Sequence, residues 1–257
     1  MIGPTGARSA GHSGLVAVVT GASRGLGAGL AGAFADQGMR LGLCARTLPV
    51  VPDGAEAVSR SVDVTDASAV DRFGVDVIDE FGRIDLWINN AGVLAPIGQL
   101  ADADPSAVRE HVDINVMGVV HGTASFARHV RTRPGDGVLI NISSGAATKP
   151  YEGWGPYCGS KAAVEMITEV VAREEQSHGL RCAALSPGAV DTDMQSLIRS
   201  TPVEKFPSAE RFHRMHEEDG FNSATWVARF ILEELVDRDL DASSGVAQVR
   251  LRVPDDH

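Results

Sequence analysis

Thr20-Gly21-Ala22-Ser23-Arg24-Gly25-Leu26-Gly27 is the stretch that decides how this chain folds. An apolar run, Leu15–Thr20, leads into it, and a helical pattern that continues to about Gln37 follows it. Glycines let a backbone approach a pyrophosphate closely, and the first turn of a helix offers free N–H groups. A tight strand–helix turn is the simpler alternative, but a strand, a glycine-rich loop and a helix in this order favour dinucleotide binding. The loop residues expected to contact the dinucleotide are Gly21, Ser23, Arg24, Gly25, Leu26 and Gly27.

Short apolar runs alternate with helical patterns along the rest of the chain. The further predicted strands are Arg40–Ala45, Ser59–Asp63, Ile84–Ile88, Gly137–Ile142, Leu180–Leu185 and Val246–Leu251. Helical patterns cover Thr65–Phe81 (capped at Thr65 or Asp66), a part of Pro105–Arg131, Gly155–His178 and Ala224–Val236. Strands that are apolar throughout, separated by helices, imply a parallel sheet covered on both faces. We therefore predict the α/β class: a single, doubly wound, Rossmann-type domain of about seven strands over residues 15–257, after a flexible tail of residues 1–14.

Composition narrows the range of partners. The 257 residues carry 34 acidic and 23 basic side chains, a formal net charge of −11, which disfavours nucleic acid and an anionic membrane. No apolar run approaches the ~20 residues that a membrane-spanning helix needs. The three cysteines lie far apart in the sequence and match no metal spacing. We therefore expect no bound metal, reduced thiols and a cytoplasmic location.

The end of the second strand indicates which dinucleotide is bound. An NAD site usually places an acid there to accept a hydrogen bond from the ribose 2′-hydroxyl. No Asp or Glu occurs between Gly38 and Pro52; the strand ends in Ala45-Arg46, and Arg24 belongs to the glycine-rich loop. Two guanidinium groups suit a 2′-phosphate, so NADP(H) is the expected cofactor. The alternative is that both arginines are solvated surface residues.

Tyr157 and Lys161 are four residues apart in a predicted helix, so both project from one face. A nearby cation favours a phenolate, which makes the pair a plausible general acid–base. Taken alone, this spacing is more often an ordinary surface pair.

Six further motifs accompany that pair, and with them the chain resembles the short-chain dehydrogenase/reductase superfamily from about Leu15 to Leu251. They are TGASRGLG at Thr20–Gly27, DVT at Asp63–Thr65, NNAG at Asn89–Gly92, DINV around Asn115, NISS at Asn141–Ser144 and SPGAVDTDM at Ser186–Met194. The resemblance implies that Ser144, with Ser143 as its rival, hydrogen-bonds the substrate carbonyl oxygen and that Tyr157 donates the proton. It implies that Lys161 holds the nicotinamide ribose and favours the tyrosinate. Asn115 would support a proton-carrying water, unless its amide only distorts the helix.

The same resemblance implies the remaining cofactor contacts. Asp63 and Val64 would lie near the adenine. The residues expected beside the cofactor at the end of the fourth strand are Asn90, Ala91 and Gly92. Those expected to meet the nicotinamide are Pro187, Gly188, Val190 and Thr192.

A narrower likeness, around Pro150–Cys158, is to the sepiapterin reductase branch, which includes bacterial benzil reductases. It implies a small-molecule carbonyl substrate, with Trp154 and Met194 as further contacts and residues 195–221 as a lid. Arg250 falls near the position where sepiapterin reductases anchor the pterin with an aspartate, so a 1,2-dicarbonyl or related ketone is favoured over sepiapterin.

We therefore expect an NADPH-dependent carbonyl reductase. The alternatives are a sepiapterin reductase, an NADP-dependent alcohol dehydrogenase and an NADP-sensing regulator without catalysis. The resemblance also implies a homodimer or homotetramer.

Overall fold

Seven parallel strands form one sheet at the centre of the molecule. This computed structural model describes residues 11–218, 220–237 and 250–256. The strands are β1 (Val16–Thr20), β2 (Arg40–Ala45), β3 (Ala57–Ser61), β4 (Leu86–Asn89), β5 (Gly137–Ile142), β6 (Leu180–Ser186) and β7 (Arg250–Arg252). Their order is β3-β2-β1-β4-β5-β6-β7, and every neighbouring pair is parallel. The direction of winding reverses between β1 and β4, which confirms the predicted doubly wound Rossmann-type fold.

Helices cover both faces of the sheet. They are α1 (Gly25–Asp36), α2 (Ala67–Phe81), α3 (Pro105–Val112), α4 (Gly118–Arg131), α5 (Gly155–Glu175), α6 (Asp193–Ser200), α7 (Ala209–Glu217) and α8 (Ala224–Ile231). A π-helical turn, Asp113–Met117, joins α3 to α4, and a second one, Leu232–Val236, extends α8. None of the helices in the described ranges is both long and apolar enough to cross a membrane.

The strands are buried because each face of the sheet has its own apolar core. One core packs α1 and α8 against the sheet through Leu30, Phe34 and Ile231. The other packs α2 and α4 through Phe73 and Phe126. Each fully buried side chain of this size contributes about 1.5–3 kcal/mol. Two separate cores explain why the strands are apolar throughout rather than alternating.

Several element boundaries differ from the prediction. The third strand is Ala57–Ser61 rather than Ser59–Asp63, because it pairs residue by residue with β2 and stops where β2 stops. The Asp66 side chain caps α2 by accepting from the Ala69 amide. The predicted last strand is described only from Arg250 onward; residues 246–249 and the Ser244-Gly245 turn lie outside the described ranges.

The end of the predicted tail contacts the domain where it is described. The Gly14 amide donates to the Gly38 carbonyl, and His12 pairs with Asp237 at 2.8 Å. Residues 1–10 lie outside the described ranges.

Candidate active site

The glycine-rich loop lies at the carboxyl end of β1, beside the end of β4. Gly21 has φ +67°, and a Cβ there would lie 2.8 Å from the Cα of Ala91; a Cβ on Gly27 would clash with the Gly21 carbonyl. No side chain caps the start of α1, so the amides of its first turn remain open to a ligand. Glycines that allow this close approach, together with open helix amides, fit a pyrophosphate.

Thr20 and Asn90 join the glycine-rich loop to the end of β4. The Thr20 hydroxyl accepts from the backbone amides of Asn90 and Ala91, at 3.0 and 3.1 Å. The Asn90 side-chain amide donates to the Thr20 carbonyl at 2.8 Å. Asn90 was predicted to line the cofactor site, and its side chain holds the two backbone segments together there. Thr20 was not among the predicted site residues, although its position before Gly21 was a signal.

The residues expected at the adenosine end occupy the ends of β2 and β3. Ala45 is buried, and Val64 is buried against Gly118. Asp63 does not point freely into the cleft, because its carboxylate accepts from the amide and hydroxyl of Thr65. Arg46 is exposed at the end of β2, and its guanidinium makes no hydrogen bond or ion pair with any of the described residues. The carboxyl end of β2 therefore presents a cation and carries no carboxylate in Ala45-Arg46-Thr47.

Arg24 has a partner on the opposite side of the cleft. Its guanidinium pairs with Asp193, in the first turn of α6, at 2.7 Å, and both side chains are exposed. The methyl group of Thr192 also lies 3.2 Å from the position that a Gly25 Cβ would take. The loop after β6 thus faces the glycine-rich loop directly.

Asn222 shapes that loop and was missed by the sequence reasoning. Its side-chain amide donates to the Pro187 carbonyl at 2.9 Å, and its backbone pairs with Val190 and Ala189. Gly188, with φ +76°, makes the turn. Because Asn222 is distant in sequence from its partners, no local pattern marks it.

Ser144 and Tyr157 are brought together by β5 and α5. Ser144 follows the end of β5 and accepts from the Ala146 amide at 3.2 Å, and its hydroxyl lies close enough to Tyr157 to lower the pKa of the phenol. The rival serine, Ser143, points elsewhere and donates to Glu165 at 2.8 Å. The geometry therefore pairs the tyrosine with Ser144.

Burial governs the two titratable groups of the site. It raises the pKa of Tyr157, against the opposing effect of the Ser144 hydrogen bond. Lys161 donates to the Ile142 carbonyl at 2.7 Å, and burial lowers its pKa to about 8. The Lys161 ammonium lies 5.7 Å from the tyrosine ring centroid, and the expectation that it favours the tyrosinate stays a prediction.

Asn115 lies in the π-helical turn between α3 and α4 and is fully buried. Its side-chain oxygen accepts from the Val93 amide at 2.8 Å, and its nitrogen donates to the Val93 carbonyl at 2.7 Å. A Cβ on Gly92 would lie 3.3 Å from the Asn115 oxygen and 3.8 Å from the Lys161 nitrogen. Asn115 and Lys161 therefore both border Gly92, and Asn115 also lies in a distorted helix, so both interpretations of this residue stay open.

His111, one helical turn before Asn115, was also missed. It is 1% exposed, and its ring nitrogens contact the Ala95 carbonyl, Ser160 and Asn115. The signal was available, because residues four apart share one helix face.

The segment predicted to be a lid, residues 195–221, packs against Trp154, and Trp154 in turn contacts Tyr157. Trp154 stacks on Phe206 with ring centroids 4.4 Å apart, and its edge meets Tyr157 at 5.5 Å. Phe212 packs on the same side, and Met194 lies partly buried against this cluster. A cavity of about 260 Å³ lies beside Pro156, between residues 96–104 and the lid residues Glu204 and Lys205. Trp154 and Met194 are thus near the candidate catalytic residues, as predicted for substrate contacts.

Arg250 is directed at α5. It pairs with Glu165 at 3.3 Å and also with Glu169. Its charge is thus engaged by α5, and the expectation that a pterin lacks its aspartate anchor here stays a prediction.

Comparison with known proteins places this geometry in a family. A model of the short chain dehydrogenase family matches residues 15–202. The benzil reductase ((S)-benzoin forming) of Bacillus cereus is 33% identical over 227 residues, which cover 83% of this chain and 91% of that protein.

Two solved structures have the same fold. The KRED1-Pglu enzyme aligns with a TM-score of 0.79 at 31% identity, covering 92% of this chain and 99% of the other. A short-chain dehydrogenase/reductase from Burkholderia phymatum, in complex with NAD, aligns with a TM-score of 0.76 at 27% identity, covering 89% and 88%. The chain described here belongs to the short-chain dehydrogenase/reductase family, in its benzil reductase-like branch.

Proposed function

We propose that this protein is an NADPH-dependent reductase of ketones and 1,2-dicarbonyls. The observation that carries the proposal is that Ser144 lies near the buried Tyr157 at the carboxyl end of the sheet, with the Lys161 ammonium 5.7 Å from the tyrosine ring centroid. NADPH, when bound, supplies the hydride. The two hydroxyl groups are positioned in advance to stabilise the negative charge that develops on the carbonyl oxygen.

Tyr157 is suited to act as the acid in this reaction. Because burial raises its pKa, the phenol keeps its proton at neutral pH and can pass it to the oxygen as the carbonyl carbon is reduced. Lys161, with a pKa of about 8, is mostly protonated at pH 7 and offsets the charge left on the phenolate.

The choice of NADPH rests on Arg46. Its guanidinium is exposed at the end of β2, and Arg24 adds a second cation if it exchanges Asp193 for a phosphate. Asp63, the nearest predicted acid, is engaged with Thr65. A 2′-phosphate therefore meets cations, whereas a 2′-hydroxyl would lack the usual carboxylate acceptor.

The substrate class rests on two observations. The relative from Bacillus cereus is a benzil reductase, and benzil is a 1,2-diketone that carries two phenyl rings. Here, Trp154, Phe206 and Phe212 form an aromatic wall beside Tyr157. Such a wall suits an aryl ketone, since offset and edge-on ring contacts add to the burial of apolar surface.

The test is oxidation of NADPH and of NADH against benzil, 1-phenyl-1,2-propanedione and sepiapterin. We expect turnover of the two diketones with NADPH and much slower turnover with NADH. Sepiapterin is included because the engagement of Arg250 by α5 leaves the preference for diketones to be tested. If sepiapterin is reduced as fast as the diketones, the proposed substrate class is wrong. If NADPH binds tightly and none of the three carbonyls is reduced, the proposed reductase activity is wrong.

We also propose that the chain assembles into dimers or tetramers through the faces of α3–α4 and α5. Exposed apolar side chains lie on both: Val112 and Met117 on the first, Met166 and Val170 on the second. Size-exclusion chromatography with light scattering checks this, and a single species of 27.0 kDa contradicts it.

A further inference from the structure

We propose that His111 is a positioning residue of the reaction, holding Asn115 and the start of α5 in place through a neutral imidazole. The proposal rests on the reductase function given above and adds a residue to it. His111 lies on α3, is 1% exposed, and touches the segments that carry Asn115 and Tyr157. It does not contact the reacting atoms of a substrate.

The ring has one possible arrangement of its proton. The Nδ1 atom lies 2.7 Å from the Ala95 carbonyl oxygen, which can only accept, so Nδ1 carries the proton. In the neutral ring, Nε2 is then an acceptor. It lies 3.0 Å from the side-chain nitrogen of Asn115, which donates to it.

With this bond, every polar atom of the Asn115 side-chain amide has a hydrogen-bond partner. One N–H of Asn115 goes to the Val93 carbonyl, and the amide oxygen accepts from the Val93 amide. The second N–H goes to His111, with the Ser160 hydroxyl 3.4 Å away as a weaker acceptor. All polar atoms of the amide are therefore used, and its oxygen is held on the side of Gly92 and Lys161.

A second link runs from His111 to the tyrosine. The Ser160 hydroxyl lies 3.1 Å from Nε2 and donates to the Tyr157 carbonyl at 2.8 Å. The rings of His111 and Tyr157 meet edge to face, with centroids 6.2 Å apart. His111 thus packs against the first turn of α5 as well as against Asn115.

The surroundings keep the ring neutral. The titratable groups that face it are Lys161 and Tyr157 of α5, and the backbone contributes the Ala95 and Pro156 carbonyls. Burial, and then the Lys161 cation, lower the pKa of His111 below its usual value, against the opposing effects of the Ala95 and Pro156 carbonyls. Protonation would place an N–H on Nε2 opposite the N–H of Asn115, so the two donors would separate. Turnover should therefore be intact at neutral pH and fall as the pH drops through the His111 pKa.

The test compares His111→Gln and His111→Leu with the unchanged enzyme. Glutamine reaches about as far as Nε2, offers both an acceptor and a donor, and does not titrate near neutral pH; leucine fills space without either. We expect H111L to lower kcat for diketone reduction by about 10- to 100-fold, the scale of a misplaced catalytic group, with NADPH affinity within about threefold. H111Q should recover most of kcat, and its kcat/KM should stay flat at acid pH where that of the unchanged enzyme falls. The proposal would be overturned if both variants kept the wild-type kcat and the same fall of kcat/KM at acid pH, called the acid limb below.

A matched control is His129→Gln. His129 is also partly buried, has a lowered pKa and accepts from the Ile84 amide at 3.1 Å, but it lies on α4 away from the site. H129Q should leave the acid limb unchanged. If H111L does not fold, the acid limb of H111Q decides alone, and an unchanged limb overturns the proposal.

A readout that does not depend on turnover separates this inference from the proposed function. In nitrogen-15 NMR of histidine-labelled protein, the signals of His111 are identified by their absence in H111Q. They should show the proton on Nδ1 and a pKa lower than that of an exposed histidine. An Nε2–H tautomer would overturn the inference even if the reductase is active. Absence of carbonyl reduction together with the Nδ1–H tautomer would overturn the proposed function and leave the hydrogen-bond network standing.

Discussion

The cofactor side and the lid side of the cleft are held together by different kinds of contact. On the cofactor side, buried polar groups bond to backbone: Asn90 to Thr20, Asn115 to Val93 and Lys161 to Ile142. On the lid side, Trp154 and Phe206 meet as stacked rings. Hydrogen bonds fix the positions of atoms, whereas apolar packing is non-directional and tolerates exchange of similar volumes. The difference suggests that the chemistry is set on one side and the choice of substrate on the other.

The strongest test of the cofactor side is Tyr157→Phe. The change removes the proton donor and keeps the ring, so we expect kcat to fall by about a thousandfold, within the range known for general acids. The dissociation constant for NADPH, measured by fluorescence titration, should change by no more than about threefold. Near-normal turnover would show that Tyr157 is not the acid and that the hydrogen-bonded side does not set the chemistry.

The second test, Arg46→Ala, concerns the adenosine end of the same side. Hydrogen bonds to charged groups contribute about 1.5–3 kcal/mol, so loss of the 2′-phosphate contact should weaken NADPH by about 10- to 100-fold. NADH affinity should stay the same. Arg60→Ala is the control, because Arg60 is also an exposed arginine but is paired with Asp76 on the outer side of β3. Equal losses for NADPH and NADH in R46A would contradict a 2′-phosphate contact.

The third test compares the two sides directly with one type of substitution. Phe206 on the lid side and Phe126 in the core under the sheet are both fully buried. We expect Phe206→Leu to raise KM for benzil by about five- to tenfold, with kcat/KM for NADPH nearly unchanged, because it loosens the wall on which the substrate packs. Phe126→Leu should lower the melting temperature and leave KM for benzil as it was. A similar rise of KM in both variants would mean that the lid has no separate role in choosing the substrate.

Features set by neighbouring residues could be predicted from the sequence, whereas contacts between distant segments could not. The glycine-rich loop and the Tyr157–Lys161 pair could be proposed from the sequence because each motif lies within eight residues of chain, where local geometry decides which atoms meet; their roles stay predictions. The Ser144 and Ser143 alternatives separate only in three dimensions, where Ser143 turns to Glu165. Asn222 was missed because its partners come from distant segments, whereas the spacing of His111 from Asn115 was a signal that the prediction did not use. The pKa of Tyr157 depends on a burial that its neighbours in sequence do not reveal.

The smallest effect is expected at the ion pair that joins the two sides, Arg24 with Asp193. Both side chains are exposed, at 76% and 73%, and exposed pairs of this kind contribute little. Asp193→Asn removes the competitor for Arg24 and keeps the size of the side chain, so NADPH should bind about two- to threefold more tightly at low salt. The gain should vanish in 1 M NaCl, where the screening length is about 3 Å. KM for benzil should not change, because the aromatic wall stays packed without the pair. A tenfold loss of kcat in D193N would show instead that the lid acts on the chemistry through this contact, and the two sides would then have to be treated as one mechanism.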